Sequence, residues 1–240
     1  WEDATNKISY GELRNYLNGS LTDSVMNYPL RQLMLDFALN KHNAVHTAAK
    51  LMNLYENYPR HSFFAMMNLL GSHDRARLWT VLADETGKND TELVMSRLRL
   101  ITLWQFTFPG VPCVYYGDEV GVTGGVDPHN RATYPWGHEN TAVLTWYRSL
   151  LRLRNNSAAL RQGNWQLLYA QDTVLAYLRT HREQSCLIVL NAGTGPVQLN
   201  LQLDGHNLTD LLTTGQTIPI VHGCLTLTAD AVSGRIFEIK

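Results

Sequence analysis

The sequence has few cysteines, no long apolar run and no excess of charge of either sign. Its three cysteines, Cys113, Cys186 and Cys224, are too few and too scattered for a disulfide framework, so we expect reduced thiols and a cytoplasmic compartment. No apolar segment approaches the ~20 residues of a membrane-spanning helix, which argues against a membrane partner. The formal net charge is −1, with 20 basic and 21 acidic residues. Because such a chain has no field that gathers polyanions, nucleic acid is not expected as a partner, and an uncharged ligand suits it better.

Motifs of several common enzyme classes are also missing. The histidines fall into no metal-ligand spacing, and the chain has no Gly-x-Ser-x-Gly elbow, P-loop or dinucleotide fingerprint. We therefore expect neither a metal nor an organic cofactor. The chain begins at Trp1, without an initiating Met or a signal peptide, and is expected to be a piece of a longer protein.

The most informative stretch is an apolar run that ends in a polar turn. Residues 62–70 are almost entirely apolar and lead into Gly71-Ser72-His73-Asp74, which predicts a buried strand of a parallel sheet. A second apolar strand is expected over residues 111–116, followed by the acidic turn Gly117-Asp118-Glu119-Val120-Gly121. Because the loops after parallel strands meet at one edge of the sheet, the two turns are expected to share one site.

Helices are expected around these strands, since apolar residues recur every three to four positions behind Asn or Asp caps. The expected elements are, in order, a helix near residues 8–18, a strand over 21–28, a helix over 31–39, a helix capped by Asn43, the first apolar strand, a surface loop over 75–89, a helix capped by Asp90 or Thr91, the second apolar strand, a loop over 117–139 and a helix capped by Asn140.

At Gly163 the apolar period changes from helical spacing to alternation. Short, evenly spaced strands of this kind predict an antiparallel β-sandwich. The chain is accordingly divided into residues 1–160 and a second domain of residues 161–240. The expected strands are 165–169, 173–180, 185–191, 197–201, 224–228 and 235–239.

Two long motifs together resemble a known family. Gly71-Ser72-His73-Asp74 and the segment Gly110 to Gly121 resemble the α-amylase family of retaining glycosidases. Asp127-Pro128-His129-Asn130-Arg131, with Tyr134-Pro135-Trp136, is similar to its cyclomaltodextrinase, neopullulanase and maltogenic amylase branch. The resemblance implies an α/β plus all-β fold: strands six to eight of a (β/α)8 barrel with their helices, then a C-terminal antiparallel β-sandwich.

The resemblance also assigns roles to residues, with an α-glucan oligosaccharide as the partner. Asp74 matches the carboxylate that stabilises the transition state, and His73 matches the imidazole that hydrogen-bonds the same sugar. Asp127 and Arg131 match a pair that holds a more distant glucosyl unit. Tyr134 is expected to contact the substrate by stacking on a sugar ring, with Trp136 and Trp79 as further candidates.

Each role has a competing structural explanation. A His-Asp pair after a strand is often only a turn cap, and Asp127 with Arg131 could be a surface salt bridge that pins the loop. Core packing is favoured over stacking for Trp79. Asp118 and Glu119 could line a substrate channel or accept backbone N–H bonds, and neither is expected to be catalytic.

Family members carry their general acid just before a Trp that matches Trp1, and their nucleophile on an earlier strand. The isolated chain is therefore expected to be inactive. An open, apolar barrel edge at the sixth strand is expected to cause homo-dimerisation or other association. The competing function is a non-catalytic α-glucan-binding or regulatory module. The sequence leaves open the preferred glucan, the balance of hydrolysis and glycosyl transfer, and the calcium dependence of the parent protein.

Overall fold

The computed structural model describes residue 17 and residues 22–87, 90–182, 184–212 and 215–240. The helix expected near residues 8–18 lies outside these residues except for Leu17, which is buried. Trp1 also lies outside them. Within the described residues, no helix is both long and apolar enough to cross a membrane.

The first part of the chain is mostly helical and contains two short strands. Its elements are α1 (Tyr28–Ala38), α2 (Ala44–Asn57), α3 (Arg60–Ala65), β1 (Met67–Leu69), α4 (Leu78–Thr86), α5 (Thr91–Thr107), β2 (Val111–Cys113), two 3₁₀ turns (Asp118–Val120 and His129–Arg131), α6 (Thr141–Asn156) and α7 (Ala158–Gln162).

Three predicted helix caps are confirmed. The side chain of Asn43 accepts a hydrogen bond from the His46 amide, and Asp90 accepts one from the Leu93 amide. Asn140 accepts from two amides at the start of α6. These residues begin their helices because a short polar side chain satisfies amides that have no partner within the helix.

The strands of this part are parallel, as expected for consecutive barrel strands. Met67 pairs with Val111, and Leu69 pairs with Cys113. Met26 forms a parallel bridge to Met67, so the chain order is also the spatial order. The strand expected over residues 21–28 is reduced to this bridge, because Asn27 already caps α1.

Three predictions of local structure are wrong. The apolar run begins as helix α3, and only Met67–Leu69 form a strand; a run that is apolar on all sides does not distinguish the two. The second strand ends at Cys113 instead of residue 116. The loop expected over residues 75–89 contains α4, whose Leu78 and Leu82 are buried four residues apart on one helix face.

In the parallel pair of β1 and β2, the exposed apolar side chain is that of Val111 in β2. Val111 is 56% exposed, whereas Val25, beside the bridge at Met26, is buried. The apolar side chain of Val25, next to the edge expected to be open, is therefore covered instead of exposed. Association of the chain stays a prediction, with β2 as its more exposed apolar surface.

The remainder of the chain forms two antiparallel sheets. The strands are β3 (Asn164–Gln171), β4 (Val174–His181), β5 (Gln184–Asn191), β6 (Val197–Gln202), β7 (Asn207–Asp210), β8 (Thr217–Pro219), β9 (Cys224–Ala229) and β10 (Ser233–Ile239). One sheet has the order β3-β4-β5-β10-β7-β8, and the other pairs β6 with β9. All six predicted strands are present. β7 and β8 were not predicted, because strands of four and three residues are too short to show an alternating pattern.

The two sheets enclose an apolar core, which confirms the sandwich. Val189 and Phe237 of the large sheet pack in the same cluster as Leu199 and Leu227 of the small one. The other face of the large sheet covers the helices: Tyr177 shares a core with Leu103 and Trp104 of α5. Helices give way to strands at Gly163. The boundary between residues 160 and 161 stays a prediction.

A buried arginine joins the large sheet to the end of α5. Arg179 of β4 is fully buried and donates to the carbonyl oxygens of Thr107 at 2.6 Å, Gly163 at 3.0 Å and Asn164 at 3.3 Å. The hydroxyls of Tyr177 and Thr107 lie 2.6 Å apart beside it. Burial lowers the pKa of Arg179 to about 10, so the side chain stays charged at neutral pH.

We predict that Arg179→Ala lowers the free energy of unfolding by about 3 kcal/mol, because it leaves buried carbonyl groups without donors. Arg152→Ala, at an exposed position of α6, should change it by less than about 0.5 kcal/mol. Urea denaturation followed by circular dichroism measures both. Equal stability of the two variants would contradict the role given to Arg179.

Candidate functional site

The turns after β1 and β2 lie at one edge of the parallel pair, as expected. The strands are parallel and in register, so both chains leave them in the same direction. Asp118, after β2, lies directly against Gly71, after β1. The polar groups of the two motifs are therefore neighbours in space.

His73 and Asp74 are the accessible groups of the first turn. Nε2 of His73 is 3.4 Å from Oδ2 of Asp74, and their side chains are 50% and 35% exposed. The Asp74 amide donates to Oγ of Ser72, and that hydroxyl lies 2.9 Å from the hydroxyl of Tyr28 in α1. These hydrogen bonds hold the turn in place, while the side chains of His73 and Asp74 remain accessible to a ligand.

A cleft of about 280 Å³ lies beside Asp74. Arg75, from the same turn, and Val126, from the loop after β2, lie on its walls. Arg31 also lines the cleft; it donates to the carbonyl oxygen of Leu70 at 2.7 Å, and burial lowers its pKa to about 10. The lining as a whole contains three basic and three acidic side chains, so the cleft has no excess of charge of one sign. Its other lining residues are Gln32, Leu35, Asp36, Leu39, Lys41, Ala76, Val81 and Glu85.

A buried ion pair joins the two turns. Nη1 of Arg77 is 3.2 Å from Oδ1 of Asp118, and both side chains are at most 2% exposed. The Arg77 guanidinium also donates to the Tyr116 carbonyl and lies over the rings of Tyr115 and Tyr116, 4.1 and 4.6 Å from their centroids. Asp118 is therefore a structural carboxyl group that contacts the Arg77 side chain, which was neither of the two alternatives considered for it.

Burial raises the pKa of Asp118 to about 7, and the Arg77 guanidinium opposes part of that rise. Glu119 differs from its neighbour, because one of its carboxylate oxygens is buried and has no hydrogen-bond partner within the described residues. Neither acid lies where a ligand could reach it as freely as Asp74 or Asp127.

The loop after β2 carries the second group of predicted residues. Nε of Arg131 donates to Oδ1 of Asp127 at 2.7 Å, and the two side chains are 47% and 60% exposed. This contact fits both a sugar-binding pair and a salt bridge that pins the loop. The rings of Tyr134 and Trp136 lie 4.4 Å apart by centroid, and Trp136 is 80% exposed.

Trp79 does not belong to this exposed group. It lies in α4 and packs against the main apolar core, as the competing explanation held. The exposed aromatic pair of Tyr134 and Trp136 is therefore the stronger candidate for stacking on a sugar ring.

Three residues that shape the site were not found from the sequence. They are Gly71, which makes room for Asp118, Arg77, which donates a hydrogen bond to it, and Asn130, whose amide donates to the carbonyl oxygens of His73 and Arg75. The motif Asp127 to Arg131 contains Asn130, but nothing in the sequence indicates that this residue is buried.

No metal centre is found in the part of the chain that the structure describes, where no three His, Cys, Asp or Glu side chains could hold an ion together. The cysteines in this part are free thiols. The side-chain groups at this edge include carboxylates, imidazoles, guanidinium groups and aromatic faces.

The comparisons with known proteins agree with this architecture. A family model described as "Alpha amylase, catalytic domain" matches residues 5–136, and one described as "Maltogenic Amylase, C-terminal domain" matches residues 165–236. The chain belongs to the α-amylase family. Together with a match to a cyclomaltodextrinase, this confirms the resemblance described above.

Two relatives and one solved structure illustrate the similarity. Amylopullulanase of Thermoanaerobacter thermohydrosulfuricus is 34% identical over 92% of this chain and 17% of its own length. Cyclomaltodextrinase of Geobacillus thermopakistaniensis is 37% identical over 82% of this chain and 33% of its own. The debranching enzyme from Nostoc punctiforme superposes with a TM-score of 0.81 at 31% identity, over 95% of this chain and 50% of its own. This chain thus spans half or less of each.

We predict that the Asp118 carboxyl makes the chain less stable as the pH rises from about 4 to 7. In this window the folded chain holds a proton on Asp118 that the unfolded chain, with an ordinary pKa of 3.8, has released. The free energy of unfolding, measured by urea denaturation, should therefore fall between about pH 4 and pH 7 in the wild type. The fall should exceed that of Asp118→Asn by at most about 4 kcal/mol. Asp204→Asn, at an exposed site, should follow the wild type. A wild-type curve parallel to that of Asp118→Asn would contradict this assignment.

We also predict that Gly71→Ala destabilises the chain by about 1–3 kcal/mol. A Cβ at Gly71 would lie 2.0 Å from Oδ2 of Asp118, so the carboxylate would have to leave Arg77. Gly125→Ala is the matched control, because a Cβ there meets nothing within 4 Å. Thermal unfolding of both variants tests the idea, which fails if the two midpoints agree.

Proposed function

We propose that this chain forms part of a retaining α-glucan hydrolase that cleaves α-1,4-glucosidic bonds in maltodextrins or cyclodextrins. The observation that carries the proposal is that Asp74, with His73, stands accessible at the edge where the turns after two parallel strands meet. Membership of the α-amylase family supports it, as do relatives named amylopullulanase and cyclomaltodextrinase.

In this proposal Asp74 stabilises the transition state. A retaining glycosidase passes through an oxocarbenium-like sugar, and a carboxylate that accepts hydrogen bonds from the sugar hydroxyls favours the distorted ring. The Asp74 side chain is 35% exposed beside the cleft and can contact a ligand directly, whereas Asp118 would first have to break its buried contact with Arg77. His73 would bind the same sugar through its imidazole.

The loop after β2 would bind a glucosyl unit further from the cleaved bond. Asp127 accepts and Arg131 donates hydrogen bonds, so together they can satisfy neighbouring hydroxyls of one sugar. Tyr134, with Trp136, would offer an aromatic face to the C–H groups of a glucose ring. A largely neutral chain and exposed aromatic side chains both suit an uncharged oligosaccharide.

Cleavage needs two further groups that this proposal does not assign to these 240 residues. A retaining mechanism uses a nucleophilic carboxylate and an acid/base carboxyl about 5 to 5.5 Å apart. The family resemblance assigns both to segments that precede Trp1 in its members. We therefore propose that the 240-residue chain alone binds α-glucan and does not hydrolyse it.

A glucan-binding module without catalysis is the second candidate, favoured by the exposed pair of Tyr134 and Trp136. The full-length parent distinguishes the two proposals. Asp74→Asn should reduce its turnover by orders of magnitude with little change in stability if the chain belongs to an enzyme. A parent that binds maltotriose but has no hydrolytic activity would favour the module.

The first test is titration calorimetry of the 240-residue chain with maltotriose. We expect a Kd on the order of 1 mM, or about −4 kcal/mol, and at least about fivefold weaker binding for Trp136→Ala and Asp127→Ala. Asp204→Asn, an exposed carboxylate in the β-sandwich, should bind as the wild type does. The proposal of a glucan site in this chain is wrong if the wild type gives no binding heat, and release of maltose by the isolated chain would overturn its expected inactivity.

A further inference from the structure

A buried asparagine joins the two loops of the candidate site. Nδ2 of Asn130 donates to the carbonyl oxygen of His73 at 2.7 Å and to that of Arg75 at 2.9 Å. The residue is fully buried, although it belongs to a 3₁₀ turn whose neighbours His129 and Arg131 are exposed. Its orientation is fixed by chemistry, because a flipped amide would place an oxygen against two carbonyl oxygens.

The two carbonyls belong to the residues on either side of Asp74. Holding both of them restrains the peptide unit that precedes Asp74 and the one that follows Arg75, and so limits the backbone conformations open to Asp74 between them. The carboxylate itself is held loosely, with His73 Nε2 at 3.4 Å. We therefore expect the position of the Asp74 side chain to depend on the two hydrogen bonds of Asn130 more than on the contact of its carboxylate with His73.

Further contacts keep the loop of Asn130 against the first turn. The amide of Arg77 donates to the carbonyl oxygen of Gly124 at 2.9 Å, and the amide of Gly124 donates to Oγ1 of Thr80 at 2.8 Å. A Cβ at Gly124 would lie 2.2 Å from the carbonyl oxygen of His129, so this part of the loop is closely packed. The loop that carries Asn130 is therefore held against the segment after β1 by contacts additional to those of Asn130 itself.

Asn130 also links Asp74 to the pair of Asp127 and Arg131. It lies one residue from Arg131 and three from Asp127, and its amide reaches the backbone on both sides of Asp74. One side chain therefore links the carboxylate proposed to act at the cleaved bond to the pair proposed to hold a neighbouring sugar.

We propose that Asn130 is a positioning residue that fixes Asp74 relative to Asp127 and Arg131, so that all three contact one glucan chain. This inference rests on the proposed function. Asn130 is not proposed to touch the ligand; it acts through the carbonyl groups of His73 and Arg75, on either side of Asp74.

Hydrogen exchange of the 240-residue chain tests the structural half of the proposal without any ligand. Asn130→Ala should speed exchange of the backbone amides of residues 74–77 at least about tenfold, because local opening no longer breaks two hydrogen bonds. Asn43→Ala is the matched control, since it removes the cap of α2 and lowers stability without touching this turn. Equal exchange over residues 74–77 in both variants would overturn the inference.

A double-mutant cycle in maltotriose affinity tests the functional half. Asn130→Ala should weaken binding about five- to tenfold in the wild-type chain but less than twofold in a chain that already carries Asp74→Ala. Asn130→Ser, whose hydroxyl can donate to only one carbonyl, should lie between and is the variant of choice if Asn130→Ala fails to fold.

The outcomes separate the two proposals. If the wild type binds maltotriose but Asn130→Ala weakens binding equally with and without Asp74, the positioning role is wrong and the glucan site stands. If the wild type binds no maltotriose, the proposed function is wrong, and positioning for glucan contact is rejected with it. An Asn130→Ala chain that binds as the wild type does would also overturn the positioning role.

Discussion

The buried pair of Arg77 and Asp118 holds together the turns that follow two neighbouring strands. Both side chains are almost completely removed from water, and such charges are tolerated only when they are paired. The two turns therefore cannot separate without leaving the Arg77 guanidinium without its acceptors in the interior. Gly71 allows the close approach, and the rings of Tyr115 and Tyr116 cover the guanidinium. The accessible groups of the site lie on the two turns that this contact between Arg77 and Asp118 holds together.

Burial divides the charged groups of the site into two kinds. Arg77 and Asp118 are structural, whereas Asp74, Asp127 and Arg131 keep a third or more of their side chains exposed. The exposed groups can exchange water for the hydroxyls of a neutral ligand at little cost, because they are already solvated. Exposure, more than the identity of the acid, therefore distinguishes the groups proposed to meet a glucan.

The large antiparallel sheet supports this edge from a distance. The face of this sheet that points away from the small sheet shares a core with α5, and Arg179 and Tyr177 hold the last turn of that helix. Helix α5 leads directly into β2, whose C-terminal loop carries the second half of the site. The β-sandwich thus contributes to the position of β2 as well as covering apolar surface.

The sequence by itself determined what depends on near neighbours in the chain. Asn43, Asp90 and Asn140 begin helices because they satisfy amides two or three residues away, and the sandwich strands follow from alternation along each strand. The tertiary structure alone decided that the apolar run begins as a helix, that Asp118 is buried against Arg77, and that Asn130 holds the backbone beside Asp74. The last two features depend on contacts between residues 41 to 57 positions apart, which only folding creates and which no local pattern records.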